Sequence, residues 1–145
     1  MDDSTESVEI PVTILERAPS VDEFARLRAS VGWANPNRIA LSDALAASRF
    51  AVCLAREGHV IGCGRVIGDG MMFYVQDVIV MPEFQRHGYG QQIMTAIMGY
   101  LETAVPAGGF VGLMAARGAE DFYTQFGFVA RPTPQFGSGM CLVER

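Results

Sequence analysis

The segment from Gln76 to Gln91, which reads QDVIVMPEFQRHGYGQ, carries the strongest structural signal in the chain. An apolar run leads into a glycine-containing turn, and a helical pattern follows the turn. Gly88 and Gly90 let the backbone approach a ligand without side-chain obstruction, and the amides that open a helix attract phosphate oxygens. Arg86 and His87 add positive charge. The segment predicts an anion site, although glycines that only form a turn are the alternative.

The residues before this segment predict two helices and an antiparallel meander. Ser20 and Glu23 stand at capping-box spacing, so a helix should start there. Turns at Glu57-Gly58 and Gly68-Asp69-Gly70 separate apolar runs that are rich in β-branched residues. The predicted elements are a strand over Val8 to Leu15, a helix from Ser20 to Gly32, a short helix over Leu41 to Ser48, and strands over Phe50 to Ala55, His59 to Ile67 and Met71 to Met81.

The residues after the glycine turn predict a long helix over Gly90 to Val105, because its aliphatic residues recur every four positions. A short strand over Phe110 to Ala115 and a short helix over Gly118 to Phe126 should follow. Gly127 is expected to end that helix in the left-handed conformation. Prolines interrupt the segment from Phe128 to Val143, so any strand there is broken or lies at a sheet edge.

Composition excludes several classes of function. A chain of 145 residues with 50% hydrophobic residues can bury one core, so we expect a single domain over residues 1–145 with residues 1–7 flexible. A formal net charge of -5 argues against nucleic-acid binding, which needs clustered Lys and Arg. No apolar run approaches the roughly 20 residues that span a bilayer. We therefore expect no membrane association and a cytoplasmic location.

The sequence predicts neither a metal site nor a disulfide framework. The three cysteines lack metal-ligand spacing and are odd in number. Cys53 and Cys63 flank the turn at Glu57-Gly58 and are expected to be cross-strand neighbours. His59 and His87 have no Cys or Asp partner at ligand spacing. We therefore expect reduced thiols in the core and no bound metal.

Two motifs resemble a known family. Gln85-x-x-Gly88-x-Gly90 after a strand resembles the pyrophosphate motif of the GNAT superfamily of N-acetyltransferases, and residues 121–128, which read DFYTQFGF, resemble its later F-Y-x-x-x-G-F signature. The resemblance implies an α/β fold of the α+β type, with a seven-stranded, mostly antiparallel mixed sheet and about four helices. Its fourth and fifth strands would be parallel and splayed, with acetyl-coenzyme A as cosubstrate in the cleft between them.

Carried over position by position, the resemblance implies a set of coenzyme contacts. Backbone groups of the strand would hold the pantetheine, and backbone amides of the turn would hold the pyrophosphate. One departure is Ala116, where many members carry an Asn that contacts the pantetheine. The implied contact residues are Val78, Ile79, Val80, Gln85, Arg86, His87, Gly88, Tyr89, Gly90 and Gln91.

Acetyl transfer to an amine requires a proton acceptor for the amine and a proton donor for the leaving thiolate. We predict Asp77 as the base, acting directly or through Gln76 and a water. A carboxylate that only hydrogen-bonds a neighbouring segment is the alternative. Tyr123 matches the family tyrosine that protonates the coenzyme A sulfur, and a core aromatic is its alternative.

The acceptor is expected to be a primary amine of a small molecule, acetylated by direct attack in a ternary complex. Trp33, the only tryptophan, lies in a predicted loop and is a candidate wall of the acceptor site together with Gln76. Residues 76–80 and the closing Gly137 to Met140 resemble the serotonin N-acetyltransferase-like branch. A non-catalytic acyl-coenzyme A binding module and a protein lysine acetyltransferase stay open, as does a homodimer formed through the C-terminal segment.

Overall fold

A computed structural model describes residues 10–142 of the chain. These residues divide into two compact units, the first ending at Leu113 and the second beginning at Met114. The predicted flexible residues 1–7 and the start of the predicted first strand at Val8 lie outside the described residues. The single domain over residues 1–145 stays a prediction.

The first unit is a five-stranded sheet with three α-helices. The strands follow one another across the sheet in chain order, and every neighbouring pair is antiparallel except the parallel pair of the last two strands. The predicted antiparallel meander is thereby confirmed. The elements are β1 (Val12–Leu15), α1 (Val21–Ser30), α2 (Arg38–Ala46), β2 (Phe50–Arg56), β3 (His59–Gly68), β4 (Met72–Val80), a 3-10 turn (Pro82–Phe84), α3 (Tyr89–Ala104) and β5 (Phe110–Leu113).

The helices α1 and α2 both begin at residues that cap them. Oγ of Ser20 accepts a hydrogen bond from the amide of Glu23 at 3.1 Å, and the Ser20 amide donates to Oε1 of Glu23 at 2.8 Å. This confirms the predicted capping box. The prediction placed Asn37 in a loop and began the next helix at Leu41. Instead, Oδ1 of Asn37 accepts from the Ala40 amide at 2.8 Å, so α2 begins earlier, at Arg38.

The long helix α3 packs directly on the sheet. Its buried residues include Ile93 and Ile97, and each buried aliphatic side chain contributes about 1.5–3 kcal/mol. Gly64 in β3 permits the close approach, because a Cβ built there would lie 2.7 Å from Cγ2 of Ile93 and 2.9 Å from Cδ1 of Ile97. The start of α3 is thereby held close to the end of β4.

The other face of the sheet carries a second apolar cluster, formed with α1 and α2. Phe24 and Leu27 of α1 pack there with Ile79 of β4. Cys53 and Cys63 lie opposite each other in β2 and β3, which confirms the expected cross-strand pair. Both thiols are buried and unoxidised, and burial raises the pKa of Cys53 to about 11.

The second unit contains one short helix, α4 (Glu120–Thr124). The predicted helix from Gly118 to Phe126 is therefore shortened at both ends, and the chain leaves it through turns in which Gly127 has the expected left-handed conformation, with φ of 93°. The prediction of seven strands is wrong: residues 10–142 form five, and none lies beyond Leu113. Pro132 and Pro134 lack the amide that a strand ladder needs, which explains why the C-terminal segment adds no strand within these residues. The four described α-helices match the expected number.

Candidate active site

The predicted anion site is a tight turn between β4 and α3. After β4 ends at Val80, the Nε2 atom of Gln85 donates to the carbonyl oxygen of that residue at 2.9 Å. Gly88 has φ of 80°, a left-handed conformation that favours glycine, and α3 begins at the next residue. Arg86 is also left-handed, with φ of 68°. The turn therefore leads from the end of β4 to the start of α3 through two left-handed residues.

Backbone amides at the start of α3 are available for a ligand. The first hydrogen bond inside the helix runs from Gln92 to the carbonyl of Gly88 at 3.2 Å, and no side chain caps the helix. Among residues 10–142, the amides of Tyr89 and Gly90 donate to no protein acceptor. Helix termini of this kind attract anions, because the unpaired amides and the helix dipole act together.

The predicted turn residues from Gln85 to Gln91 therefore occupy one short, mostly exposed stretch. The rings of His87 and Tyr89 lie 5.6 Å apart, and the exposed side chain of Arg86 adds charge to the same turn. The guanidinium of Arg86 suits a phosphate ligand. The geometry thus fits the function predicted from the glycine pattern, although their contacts with coenzyme A stay a prediction.

The second half of β4 extends past its neighbour β5. The register between the two strands runs from Met72 and Phe110 to Val75 and Leu113, whereas β4 continues to Val80. On the β5 side, the backbone from Gln76 onward therefore has no strand partner in the described part of the chain. This is the edge at which the sequence predicted backbone contacts from Val78, Ile79 and Val80. The side chain of Ile79 lies in the core, so only its backbone is available.

A bulge interrupts the pairing of β4 with β3. Gln76 pairs with Arg65 and Ile79 pairs with Cys63, so Asp77 and Val78 together face the single residue between them, Gly64. Asp77 has φ of 54°, which is uncommon for any residue except glycine. We call this feature the β4 bulge. It changes the direction of the strand at the edge that β5 leaves uncovered.

The side chain of Asp77 is buried and paired with two arginines. Its Oδ1 accepts from Nη1 of Arg28 at 2.5 Å, and its Oδ2 accepts from Nε of Arg65 at 2.8 Å. Both guanidinium carbons also lie near the ring of Phe24, at 5.7 Å from its centroid for Arg28 and 5.5 Å for Arg65. We call Arg28, Asp77 and Arg65 the ion-paired cluster. The carboxylate contacts correspond to the alternative of a hydrogen-bonded residue, and the base role stays a prediction.

The sequence interpretation did not include Arg28 or Arg65. Arg65 is the one charged residue inside the apolar strand β3, where a charge is costly unless it is paired. Arg28 follows Phe24 by one helical turn and therefore shares the face of α1 that packs on the sheet. The positions of Arg28 and Arg65 indicate that a buried acid pairs with them. They do not identify that acid as Asp77.

Both candidate acceptor residues lie near this cluster. Trp33 is half-buried, packs against the apolar core, and has its ring centroid 5.5 Å from the guanidinium carbon of Arg28. Gln76 is half-buried and pairs with Arg65 across the sheet. Arg28 thus connects Trp33 with Asp77, and Gln76 precedes Asp77 in β4. Their contact with an acceptor stays a prediction.

Tyr123 belongs to the second unit and lies in α4. Its ring is half-buried and makes edge contacts with Phe122, at 5.0 Å between centroids, and with Phe128, at 6.2 Å. Burial raises the pKa of the Tyr123 phenol, so the group holds its proton at neutral pH. No hydrogen-bond partner of the hydroxyl is found in the described residues. A protonated phenol of this kind suits a proton donor.

Two further features of the described residues concern ligands and membranes. Between residues 10 and 142, no group of three or more His, Cys, Asp or Glu side chains is arranged to hold a metal ion. Within the same range, no helix is both long and apolar enough to cross a membrane.

Comparison with known proteins identifies close structural relatives. Residues 34–144 match the family model described as an acetyltransferase (GNAT) domain. A probable acetyltransferase of meticillin-resistant Staphylococcus aureus is 32% identical and has a TM-score of 0.83, covering 92% of this chain and 100% of that chain. A GNAT family acetyltransferase of Streptococcus pneumoniae is 28% identical, with a TM-score of 0.77, covering 93% of this chain and 99% of that chain.

A more distant structure shows similarity of fold alone. It is an aminoglycoside acetyltransferase from an uncultured soil metagenomic sample, in complex with sisomicin, with 18% identity and a TM-score of 0.68. The similarity covers 92% of this chain and 97% of that chain. None of the curated proteins matches the chain.

Proposed function

The chain belongs to the GNAT family of acetyltransferases, and we propose that it transfers an acetyl group from acetyl-coenzyme A to the primary amine of a small molecule. The observation that carries this proposal is the glycine turn, whose left-handed Gly88 leaves the amides of Tyr89 and Gly90 without protein acceptors. A pyrophosphate is the part of acetyl-coenzyme A that such a turn binds best.

The proposed binding mode for acetyl-coenzyme A uses two neighbouring stretches of backbone. Amides from Arg86 to Gly90 would hold the pyrophosphate, with Gln85 fixing the turn, the side chain of Arg86 adding charge and the ring of His87 lying beside it. The uncovered edge from Val78 to Val80 would hold the pantetheine. A Cβ at Gly88 would meet nothing within 4 Å, so the requirement for glycine there comes from its backbone conformation.

The chemistry follows from a direct attack in a ternary complex. The neutral amine nitrogen attacks the thioester carbonyl carbon, and the C–N bond forms as the carbonyl electrons move to oxygen. Backbone amides near the β4 bulge are suited to stabilise that oxyanion. The C–S bond then breaks, the sulfur takes a proton, and the amine nitrogen loses one. Tyr123 is the proposed proton donor to the sulfur, because burial keeps its phenol protonated.

The contacts of Asp77 disfavour this residue as the direct proton acceptor. Both oxygens of Asp77 already accept hydrogen bonds from guanidinium groups. An amine proton would have to displace one of these hydrogen bonds before it could reach the carboxylate. We therefore favour the indirect version of the prediction, in which water beside Gln76 takes the proton and Asp77 holds the strand in position.

The position of Trp33 in a loop supports a small-molecule amine as the acceptor. An aromatic ring beside a loop can stack on an arylalkylamine or face an ammonium group, which is worth about 0.5–2 kcal/mol. An aminoglycoside acetyltransferase of the same fold, in complex with sisomicin, is a precedent for a small-molecule acceptor. The serotonin N-acetyltransferase-like branch, a cytoplasmic location and a homodimer stay predictions.

The test is thiol release from acetyl-coenzyme A with a panel of arylalkylamines, polyamines, amino acids, aminoglycosides and lysine peptides. We expect turnover on one small-amine class, with kcat lower by about 100-fold in Tyr123→Phe if the phenol is the acid. Phe126→Leu is a matched control, because it changes a neighbouring aromatic in the same unit without removing a hydroxyl. Equal rates for Tyr123→Phe and wild type would contradict the assignment of Tyr123 as the proton donor to the sulfur.

The panel also separates the other functions. Turnover on lysine peptides alone would replace the small-molecule acceptor by a protein substrate. Binding of coenzyme A without turnover on any amine would favour a coenzyme-binding module. Binding is measured by titration calorimetry, so it does not depend on finding the acceptor.

A further inference from the structure

Arg28 connects two regions that the proposed reaction uses separately. At the end of α1, its Nη1 donates to Oδ1 of Asp77 at 2.5 Å, within the ion-paired cluster. Its Nη2 donates to the carbonyl of Ala34 at 2.9 Å, and its Nε donates to Oδ1 of Asn35 at 3.1 Å. The guanidinium also faces the ring of Trp33 at 5.5 Å. One planar group therefore holds both the β4 bulge and the loop of residues 33–35.

The bulge end of this connection is fixed from several directions. Arg65 holds the second carboxylate oxygen of Asp77 at 2.8 Å, and Sγ of Cys63 donates to the Asp77 carbonyl at 3.3 Å. A left-handed aspartate persists only where its surroundings hold it in place. The backbone and the side chain of Asp77 are thus both restrained. If Arg28 moves, we therefore expect the loop of residues 33–35 to move and Asp77 to stay in place.

The loop end is held by the Arg28 guanidinium and by a few contacts of its own. Apart from its bond with Arg28, the side chain of Asn35 donates to the carbonyl of Ala25 at 3.0 Å. Ala34 and Asn35 are exposed, and Trp33 is half-buried. The Trp33 amide donates to the Arg28 carbonyl at 3.0 Å, and its side chain packs against the apolar core. The Arg28 guanidinium adds the link from this loop to Asp77 of β4.

We propose that Arg28 is a positioning residue that couples the loop of residues 33–35 to the β4 bulge, so that one guanidinium sets the distance between the acceptor and the thioester. This inference rests on the proposed function, because it takes Trp33 to contact the acceptor amine. The proposal assigns no direct chemistry to Arg28. It predicts that the acceptor side of the site depends on Arg28, whereas the glycine turn does not.

A lysine would reproduce only part of this coupling. Its ammonium is a compact charge that can pair with Asp77, but it lacks the planar fork that reaches two further oxygens at once. Arg28→Lys should therefore keep the ion pair and lose the hold on the loop. Arg28→Met should lose both.

The experiment compares Arg28→Met, Arg28→Lys and the control Arg38→Met in the full chain. Like Arg28, Arg38 forms an ion pair with an aspartate. Its partner is Asp22 of α1, at 2.7 Å, and this exposed pair includes no residue of the loop or of the bulge. Trp33 is the only tryptophan, so its emission and its quenching by acrylamide report on the loop alone. Calorimetry with coenzyme A reports on the glycine turn, and steady-state kinetics with the best amine report on the acceptor.

In both Arg28 variants we expect Trp33 emission at longer wavelength and stronger quenching, with unchanged affinity for coenzyme A. The acceptor KM should rise, and kcat/KM for the amine should fall by about 10- to 100-fold, because a displacement of about 1 Å has this effect on transfer. Arg28→Lys should recover part of kcat but not the acceptor KM. Arg38→Met should match wild type in every measurement.

Wild-type fluorescence and quenching in Arg28→Met would overturn the coupling, whatever the acceptor proves to be. Loss of coenzyme A affinity equal to the loss in kcat/KM would also overturn it, because the effect would then be general. Absence of turnover in wild type would count against the proposed function, while the fluorescence comparison would still test the coupling. If Arg28→Met does not fold, Asn35→Ala removes one exposed contact of the same guanidinium and should shift Trp33 in the same direction; an unshifted Trp33 in that variant would overturn the coupling.

Discussion

The glycine turn and the ion-paired cluster both involve β4 or the residues directly after it, but they are built in opposite ways. The turn consists of consecutive residues from Gln85 to Gly90, is mostly exposed, and offers backbone amides. The cluster consists of the buried side chain of Asp77 in β4 and two partly buried arginines from α1 and β3, and its members Arg28 and Asp77 are 49 residues apart. The first is a local property of the chain, whereas the second exists only after the sheet and α1 have packed together.

This difference has an energetic consequence. A turn that uses its backbone for a ligand contributes little to the free energy of unfolding, so its substitutions should change affinity. A buried ion-paired network contributes little net stability when intact, but it becomes costly when one member is removed. Substitutions at Asp77 should therefore change stability as well as activity.

The largest expected effect is that of Asp77→Asn on stability. Asparagine tolerates the left-handed conformation, so the main change is loss of the charge that both arginines share. We expect the free energy of unfolding to fall by about 3–5 kcal/mol. Urea unfolding measures the change, and Asp22→Asn, which removes an exposed acid, should stay within about 1 kcal/mol of wild type. Equal losses in the two variants would contradict the distinction between buried and exposed pairs.

The turn was predictable from the sequence because its signal is local. Gly88 follows a strand and precedes a helix, and that order alone specifies unpaired amides at a helix start. The cluster was not predictable in the same way. Asp77 was recognised as chemically interesting, but its partners depend on which face of α1 packs on the sheet and on a one-residue shift in strand register. Neither is a property of any short segment.

A smaller effect is expected for substitutions of Gly88, which should change the affinity for coenzyme A. An alanine would have to adopt φ near 80°, which costs about 1–2 kcal/mol for residues with a Cβ. Gly88→Ala should therefore weaken coenzyme A binding by about 5- to 30-fold, if this strain is relieved by moving the turn. Gly88→Asn is the matched control, since Asn accepts the left-handed region more readily and should retain more affinity. Calorimetry gives both values.

Equal weakening by Ala and Asn would indicate that a side chain obstructs the ligand, and the backbone-conformation argument would then be wrong. A large loss of stability in Gly88→Ala would contradict the separation of the two regions.

Most of the first unit followed from periodicity and turn residues, whereas the C-terminal segment did not. The alternation in β2, β3 and β4 and the spacing of Ile93 and Ile97 specify their elements strongly. The number of strands was overestimated because the family resemblance supplied strands that the prolines of this chain interrupt. Helix boundaries also shifted, since the capping role of Asn37 had been interpreted as a turn residue.

The smallest expected effect tests whether α1 transmits changes between the two regions. Ser20→Ala removes the cap at the start of the helix that carries Arg28 and should lower stability by about 1 kcal/mol.

Glu23, the partner of Ser20 in the capping box, gives the same region a pH dependence. Burial acts to raise the pKa of Glu23, but hydrogen bonds from Ser20 and Arg17 outweigh this effect and lower it. The Glu23 charge therefore stabilises the fold above the ordinary glutamate pKa of about 4.3, and this contribution is lost as the pH falls through the lowered value.

The stability difference between wild type and Glu23→Gln should accordingly be present at pH 7 and disappear in strong acid, as measured by urea unfolding across pH. Coenzyme A affinity should be the same in Ser20→Ala, Glu23→Gln and wild type, because the glycine turn depends on its own backbone. A loss of affinity in either variant would show that the turn is energetically linked to α1, and the contrast between a local site and a packed one would no longer hold.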